Sequence, residues 1–134
     1  MTVLVDTNVL VDFLDGHSEW TAWAVEILGD VGATHSLVVN PIIYAELSVG
    51  YSSIDLLDEV LEPFEREELP WPAGFHAGKA FLAYRRAGGA KTSPLPDFYI
   101  GAHAQVCGYS LITRDAARYR TYFPGVQLIT PERA

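Results

Sequence analysis

The sequence predicts an α/β fold, a three-layer α/β/α sandwich built on a mainly parallel central sheet, formed as one domain over residues 1–134. Two observations carry this. Short, continuously apolar runs recur at Thr2–Val5, Ser36–Val39, Tyr109–Thr113 and Val126–Ile129, too short for helices and without the alternation of a strand wet on one face. Between them lie stretches with helical periodicity, caps and glycine stops, so that strands alternate with helices. A chain of 134 residues is long enough to close one hydrophobic core and too short for two.

Each element has its own justification. Thr2–Val5 is β-branched and apolar and stops at Asp6. Asn8 is expected to cap a short helix through Val9, Leu10, Phe13 and Leu14 that ends at Gly16. A second helix is expected after Ser18, with Glu19 in its first turn and Gly29 near its end. After the strand Ser36–Val39, Asn40-Pro41 reads as an N-cap followed by proline in the first turn, opening a helix through Glu46. Ser53 to Phe64 is amphipathic: Ile54, Leu57, Leu61 and Phe64 share a face, and Pro63 frays the end. Glu68-Leu69 is expected as a short edge strand. A helix from Ala73 to Arg86 stops at Gly88-Gly89, and a polar loop leads to Pro96. Asp97 opens a helix through Cys107, with Gly101 and Ala104 letting it press on the sheet and Gly108 ending it. The strand Tyr109–Thr113, a short helix Ala116–Tyr119 and the strand Val126–Ile129 complete the order.

Composition narrows the class. Hydrophobic residues make up 49% and charged residues 19%, which is globular rather than disordered. No apolar run approaches the ~20 residues that span a bilayer. The opening MTVLVDTN has no basic n-region, and the single cysteine, Cys107, provides no internal disulfide. A soluble, cytoplasmic protein with no membrane partner is expected. The net charge of −8 is unevenly spread. The first 65 residues hold twelve of the seventeen Asp and Glu and no Lys or Arg. Seven of the nine cations fall between Lys79 and Arg120. An acidic half joined to a basic half reads either as two faces with different partners or as solvated helix surfaces.

Four carboxylates stand out. Asp6 and Asp115 each lie just past the C-terminal end of a buried strand, where ligands bind in open parallel sheets. Asp97 starts a helix that should face the same edge, and Glu46 lies on the helix after the second strand. Two unit charges ~4 Å apart repel by ~4 kcal/mol at an effective dielectric near 20, so such a cluster persists only with protons or a cation. Oxygen donors without Cys or His nearby suit a hard cation, Mg²⁺ or Mn²⁺. Each carboxylate also has a plainer reading. Asp97 and Asp115 read equally as helix caps and Glu46 as a solvated face, whereas at Asp6 the capping role falls to Asn8. Asp12, Asp15, Asp55, Asp58 and Glu59 are expected as surface charges. His103 and Cys107, at i and i+4, resemble half a metal site, but no second pair answers them and core packing is expected. Trp20 and Trp23 are expected to pack a helix.

The motifs Val5-Asp6-Thr7-Asn8-Val9-Leu10, Ala45-Glu46-Leu47, Pro96-Asp97-Phe98-Tyr99-Ile100-Gly101-Ala102-His103-Ala104 and Leu111-Ile112-Thr113-Arg114-Asp115 together resemble the PIN-domain ribonucleases, and within them the VapC-like toxins of toxin–antitoxin pairs. The likeness covers essentially the whole chain, in order and at family spacing. The bulky Phe98-Tyr99 pair departs from it.

The resemblance implies a PIN-like fold and a Mg²⁺- or Mn²⁺-dependent endoribonuclease. Asp6, Asp97, Asp115 and Glu46 would be the catalytic and metal-holding residues, with Asn8 and Thr113 in support. It further implies an RNA substrate such as tRNA or rRNA, a cognate antitoxin seated on the helices of residues 41–64, and a homodimer or toxin–antitoxin hetero-oligomer. Arg85, Arg86, Lys91, Arg114 and Arg118 flank Asp97 and Asp115 and would grip RNA phosphates. The competing readings are a binding-only PIN-like protein, a Mg²⁺-binding phosphoacceptor domain, and the same chemistry on DNA. The phosphoacceptor reading wants an acidic neighbour for Asp6 and a lysine after Thr113, and neither is present.

Overall fold

The computed structural model describes residues 1–92 and 95–131. Five strands, β1 (Thr2–Val5), β2 (Ser36–Val39), β3 (Glu65–Arg66), β4 (Ser110–Ile112) and β5 (Leu128–Ile129), form one sheet in the order β3-β2-β1-β4-β5. Every neighbouring pair is parallel. Among the described residues seven helices flank it: α1 (Thr7–Asp15), α2 (Thr21–Gly32), α3 (Pro41–Ser48), α4 (Ile54–Val60), α5 (Trp71–Arg86), α6 (Pro96–Cys107) and α7 (Ala116–Tyr122). The expected α/β/α class is correct. Ser93 and Pro94 of the expected polar loop lie outside the described residues. Among the described residues no helix is long and apolar enough to cross a membrane.

The strands form where expected because their residues are apolar on both sides. Val3, Leu4 and Val5 of β1, Val38 and Val39 of β2, and Leu111 and Ile112 of β4 are all buried. The edge strand is the exception. It runs over Glu65–Arg66 rather than Glu68-Leu69, in register with Val38 and Val39, and the Glu67 N–H continues the ladder to the Val39 carbonyl at 3.0 Å. Its side chains are exposed and charged, which suits an edge and hides it from a search for apolar runs.

Three helix starts differ from expectation. Asp6, not Asn8, caps α1, its Oδ1 accepting from the Thr7 N–H at 2.8 Å. Asn8 lies inside the first turn and turns its side chain toward the exit of β4. The second helix starts at Thr21, because Ser18 is held in a local turn: its Oγ accepts from the Trp20 N–H at 2.9 Å and its N–H donates to Thr21 Oγ1 at 3.2 Å. Glu19 therefore stays outside. The fifth helix starts at Trp71, two residues before Ala73, with Pro72 in its first turn. Two of the expected caps are in place: Asn40 Oδ1 accepts from Ile43 N–H at 2.9 Å, and Gly108 ends α6 at φ +70°.

The most deeply buried helix is α6, with Phe98 and the run Ile100 to Ala104 all inside. Gly101 is needed for close approach, although its neighbour is the Phe123 ring rather than the sheet. A Cβ there would fall 2.4 Å from that ring. The chain reverses its direction of travel across the sheet between β1 and β4. Just past their paired ends the Asp6 N–H donates to the Ile112 carbonyl at 2.9 Å, and Thr113 N–H to the Ile129 carbonyl at 3.0 Å. Asp6 and Thr113 thus leave the sheet side by side at its topological switch point.

Candidate active site

Asp6 is only 3% exposed and is surrounded by donors. Its Oδ2 accepts from Thr113 Oγ1 at 2.7 Å, Tyr119 OH at 3.0 Å and Asn8 Nδ2 at 3.4 Å, and its Oδ1, among the described residues, from Thr7 N–H alone. The three donors fix the carboxylate's rotation and leave Oδ1 with capacity for one more partner. Burial pushes its pKa up to about 6, against the Thr113 hydrogen bond and with the Asp97 charge acting in the same direction.

Asp97 couples the other carboxylates. Burial raises its pKa; the Arg118 guanidinium lowers it, and the charges of Asp115 and Glu46 raise it again. Arg118 Nε lies 3.7 Å from Asp97 Oδ2, and its guanidinium sits over the Phe98 ring at 5.6 Å. Neither Asp97 nor Asp115 acts as a cap. Leu95 holds the cap position of α6, and Asp115, at that of α7, makes no side-chain capping bond. Asp115 is tied by its N–H to Thr113 Oγ1 at 3.0 Å, so one hydroxyl serves both Asp6 and Asp115. Glu46 on α3 accepts from Thr7 Oγ1 at 2.6 Å. The fold therefore brings Asp6, Glu46, Asp97 and Asp115 close enough to repel, with Arg118 as the cation against them.

The spacing of this cluster is open. No three of the four bring oxygens within 4.8 Å of one another, since among the described residues only Glu67, His103 and Cys107 form such a group. Like charges settle apart, and a cation between them would draw them in. The donor set is all oxygen, which fits a hard divalent ion. Asp6 Oδ1, Asp97, Asp115 and Glu46 are the groups that would hold it.

The expected phosphate-gripping residues divide. Arg118 faces the carboxylates. Arg114 is held by Asp12, its Nη2 3.2 Å from Asp12 Oδ1, and it stacks over Trp20 at 5.4 Å. Asp12 is thus a buried partner, 3% exposed, and not the surface charge expected. Arg85, Arg86 and Lys91 are exposed, and Arg85 Nη1 donates to the Lys91 carbonyl at 2.6 Å.

Sequence reasoning missed Tyr119 and Thr7. A tyrosine ring this deep needs a partner for its hydroxyl, and that partner lies far away in sequence. It missed Glu67 as well. His103, fully buried, sits 3.4 Å by Nε2 from Glu67 Oε1, and Cys107 completes the group one turn along α6.

None of the curated proteins matches this sequence. Among solved structures, a chain of VapBC2 from Rickettsia felis, bound to a DNA fragment from its promoter, superposes with a TM-score of 0.73 at 19% identity, covering 98% of this chain and 100% of that one. A toxin–antitoxin complex from Klebsiella pneumoniae gives 0.68 at 24% identity over 98% and 99% of the two chains. FitAcB from Neisseria gonorrhoeae gives 0.69 at 20% identity over 98% of each. At these identities the likeness is one of fold. The family is settled by sequence: the family model for the PIN domain matches residues 3–124, and the chain belongs to the PIN domain family.

Proposed function

We propose that this protein is a divalent-metal-dependent endoribonuclease, the toxin half of a toxin–antitoxin pair, with Asp6, Glu46, Asp97 and Asp115 as its metal-holding and catalytic residues. The observation that carries this reading is the gathering of four carboxylates from four separate segments at the carboxyl ends of β1 and β4, with neither Asp97 nor Asp115 used as a cap. Family membership and fold-level likeness to VapBC and FitAB chains support it.

A bound Mg²⁺ or Mn²⁺ would supply Lewis-acid charge for a phosphodiester and acidify a water. The chain's own residues prepare that site. Thr113, Tyr119 and Asn8 engage Asp6 Oδ2, which leaves Oδ1, bonded to the Thr7 N–H, with capacity for a further partner. Thr7 holds Glu46, a carboxylate placed to orient a water or share the ion. Arg118 neutralises Asp97 in the free protein, and once a cation takes over that charge its guanidinium is available to a phosphate oxygen. Arg85, Arg86 and Lys91 would extend the contact along the strand. Arg114, engaged with Asp12, serves mainly to brace the β4 exit.

A cavity of about 410 Å³ lined by Val11, Leu14, Asp15, Glu46, Leu47, Gly50 and Tyr51 opens beside Glu46. Val49, Ile54 and Leu56 are exposed nearby in sequence. A mixed lining, with Val11, Leu14 and Leu47 beside the acidic Asp15 and Glu46, suits an amphipathic antitoxin segment carrying a cation toward the cluster. Trp71, 94% exposed, and Phe75 on α5 offer a face for a second copy.

Incubating the partner-free protein with total RNA, with and without Mg²⁺ or Mn²⁺, tests the reading beside an Asp6→Asn variant. Discrete cleavage that needs metal, leaves 5′-phosphate ends and is lost in the variant is expected. A folded, metal-binding protein that cleaves neither RNA nor DNA would indicate a binding-only relative. Cleavage of DNA alone would reassign the substrate.

A further inference from the structure

A second group of ligating side chains lies where β3, α3 and α6 meet. His103 Nε2 and Glu67 Oε1 are 3.4 Å apart, and the ligand atoms of Glu67, His103 and Cys107 all fall within 4.8 Å of one another. A good N–H···O contact is shorter, at about 2.7–3.2 Å. Two ligands about 2.0–2.1 Å from a tetrahedral ion stand about 3.3 Å apart. One thiol, one imidazole and one carboxylate make a Zn²⁺-type set rather than a Mg²⁺-type one. Tyr109 completes the surroundings, its hydroxyl donating to Glu67 Oε1 at 2.7 Å and lying in reach of the Cys107 thiol.

The imidazole's orientation is set from its other side. Asn40, 2% exposed, uses Oδ1 to cap α3 through Ile43 N–H at 2.9 Å, which leaves Nδ2 facing His103 Nδ1 at 3.0 Å. Nδ2 is a donor, so Nδ1 accepts and the ring proton sits on Nε2, pointing at Glu67. An ion on Nε2 needs that proton moved to Nδ1, where it would meet the Asn40 N–H₂ donor to donor. Turning the amide to receive it would break the cap of α3.

We propose that Glu67, His103 and Cys107 are the ligand set of a soft divalent cation, separate in chemistry from the carboxylate cluster, and that Asn40 holds this set in its proton-filled, metal-free form. An ion there would staple the edge strand β3 to α6. The substitution Asn40→Asp would keep the cap of α3, while the second carboxylate oxygen would accept from Nδ1–H and turn the Nε2 lone pair toward Glu67. Partners of this kind on a ligating histidine change metal affinity by about 10–100-fold.

The test titrates Co²⁺, a spectroscopic stand-in for Zn²⁺, into the full chain as wild type, Asn40→Asp, and Asn40→Asp with Cys107→Ser, all in excess Mg²⁺. Expected are a thiolate-to-cobalt charge-transfer band in Asn40→Asp at a Co²⁺ concentration at least about 10-fold below that needed by wild type, and no band in the double variant. Equal affinity in wild type and Asn40→Asp, no band in either, or a band surviving Cys107→Ser would overturn the proposal. Should Asn40→Asp not fold, ¹⁵N spectra of the His103 ring in the wild type decide. Protonated Nε2 with bare Nδ1 is expected, and the reverse pattern overturns the lock.

Discussion

Asp6 shows how one side chain carries the tension of the site. Burial pushes its pKa up to about 6 from the ordinary 3.8, so the folded, metal-free protein holds a proton that the unfolded chain has already released. Between those values the native state binds more protons than the unfolded state, and stability falls as pH rises from about 4 to about 6, levelling off above. The difference is about 3 kcal/mol if Asp6 alone is responsible. Denaturant melts in EDTA across pH 4–8 should show this decline, and Asp6→Asn, which has no charge to bury, should flatten it. The neighbouring hydroxyl gives a second prediction. Tyr119→Phe keeps the buried ring but removes a donor from Asp6 Oδ2. Mn²⁺ affinity should fall about 10-fold or more with little change in fold, measured by calorimetric titration. An unchanged affinity would make the Tyr119 hydroxyl a packing detail.

At the scale of elements, α6 does most to position the site, since it carries Asp97 at one end and packs Gly101 on Phe123. Gly101→Ala should destabilise by about 1–3 kcal/mol, because the ring must shift to admit a methyl group. Arg114→Ala should cost about 2 kcal/mol by leaving the buried carboxylate of Asp12 without its cation, and thermal melts would register both changes. The legibility of elements followed their chemistry. The strands β1, β2 and β4 were visible as apolar runs, and Asn40-Pro41 and Gly108 as helix punctuation. The edge strand was hidden because a ladder of two exposed, charged residues leaves no hydrophobic trace. The sequence points to Asn8 as the cap of α1 where the structure uses Asp6, because both are good caps and only the turn's geometry chooses between them. Asp6 shows that capping and a place in the carboxylate cluster are not alternatives. Of the proposed site, Asp6 and Asp115 stand out at strand ends and Asp97 at a helix start, whereas Glu46, inside α3, is picked out by the resemblance to PIN-domain ribonucleases. Tyr119 and Glu67 are not legible, because their partners lie far away in sequence.

Over the whole molecule, uneven charge is what would let an acidic chain take the proposed anionic substrate. The cations gather in the segment from Lys79 to Arg120, around Asp97 and Asp115, while the acidic residues fill the first 65. Binding of a single-stranded RNA should weaken steeply with salt, and Arg118→Ala should lower the slope of log K against log[salt] by about 1 if that guanidinium meets a phosphate. The parallel sheet makes this arrangement available, because its switch point places the ends of β1 and β4 together and α3 and α6 bring Glu46 and Asp97 to the same edge. On the proposed reading, the gathered carboxylates hold a divalent cation. Mn²⁺ titration of metal-free protein at neutral pH, followed by the loss of the free-ion electron paramagnetic resonance signal, tests it most directly. Saturable binding is expected, strongly weakened in both Asp6→Asn and Asp97→Asn. Binding that is absent in the folded wild type, or equal in all three proteins, would contradict it.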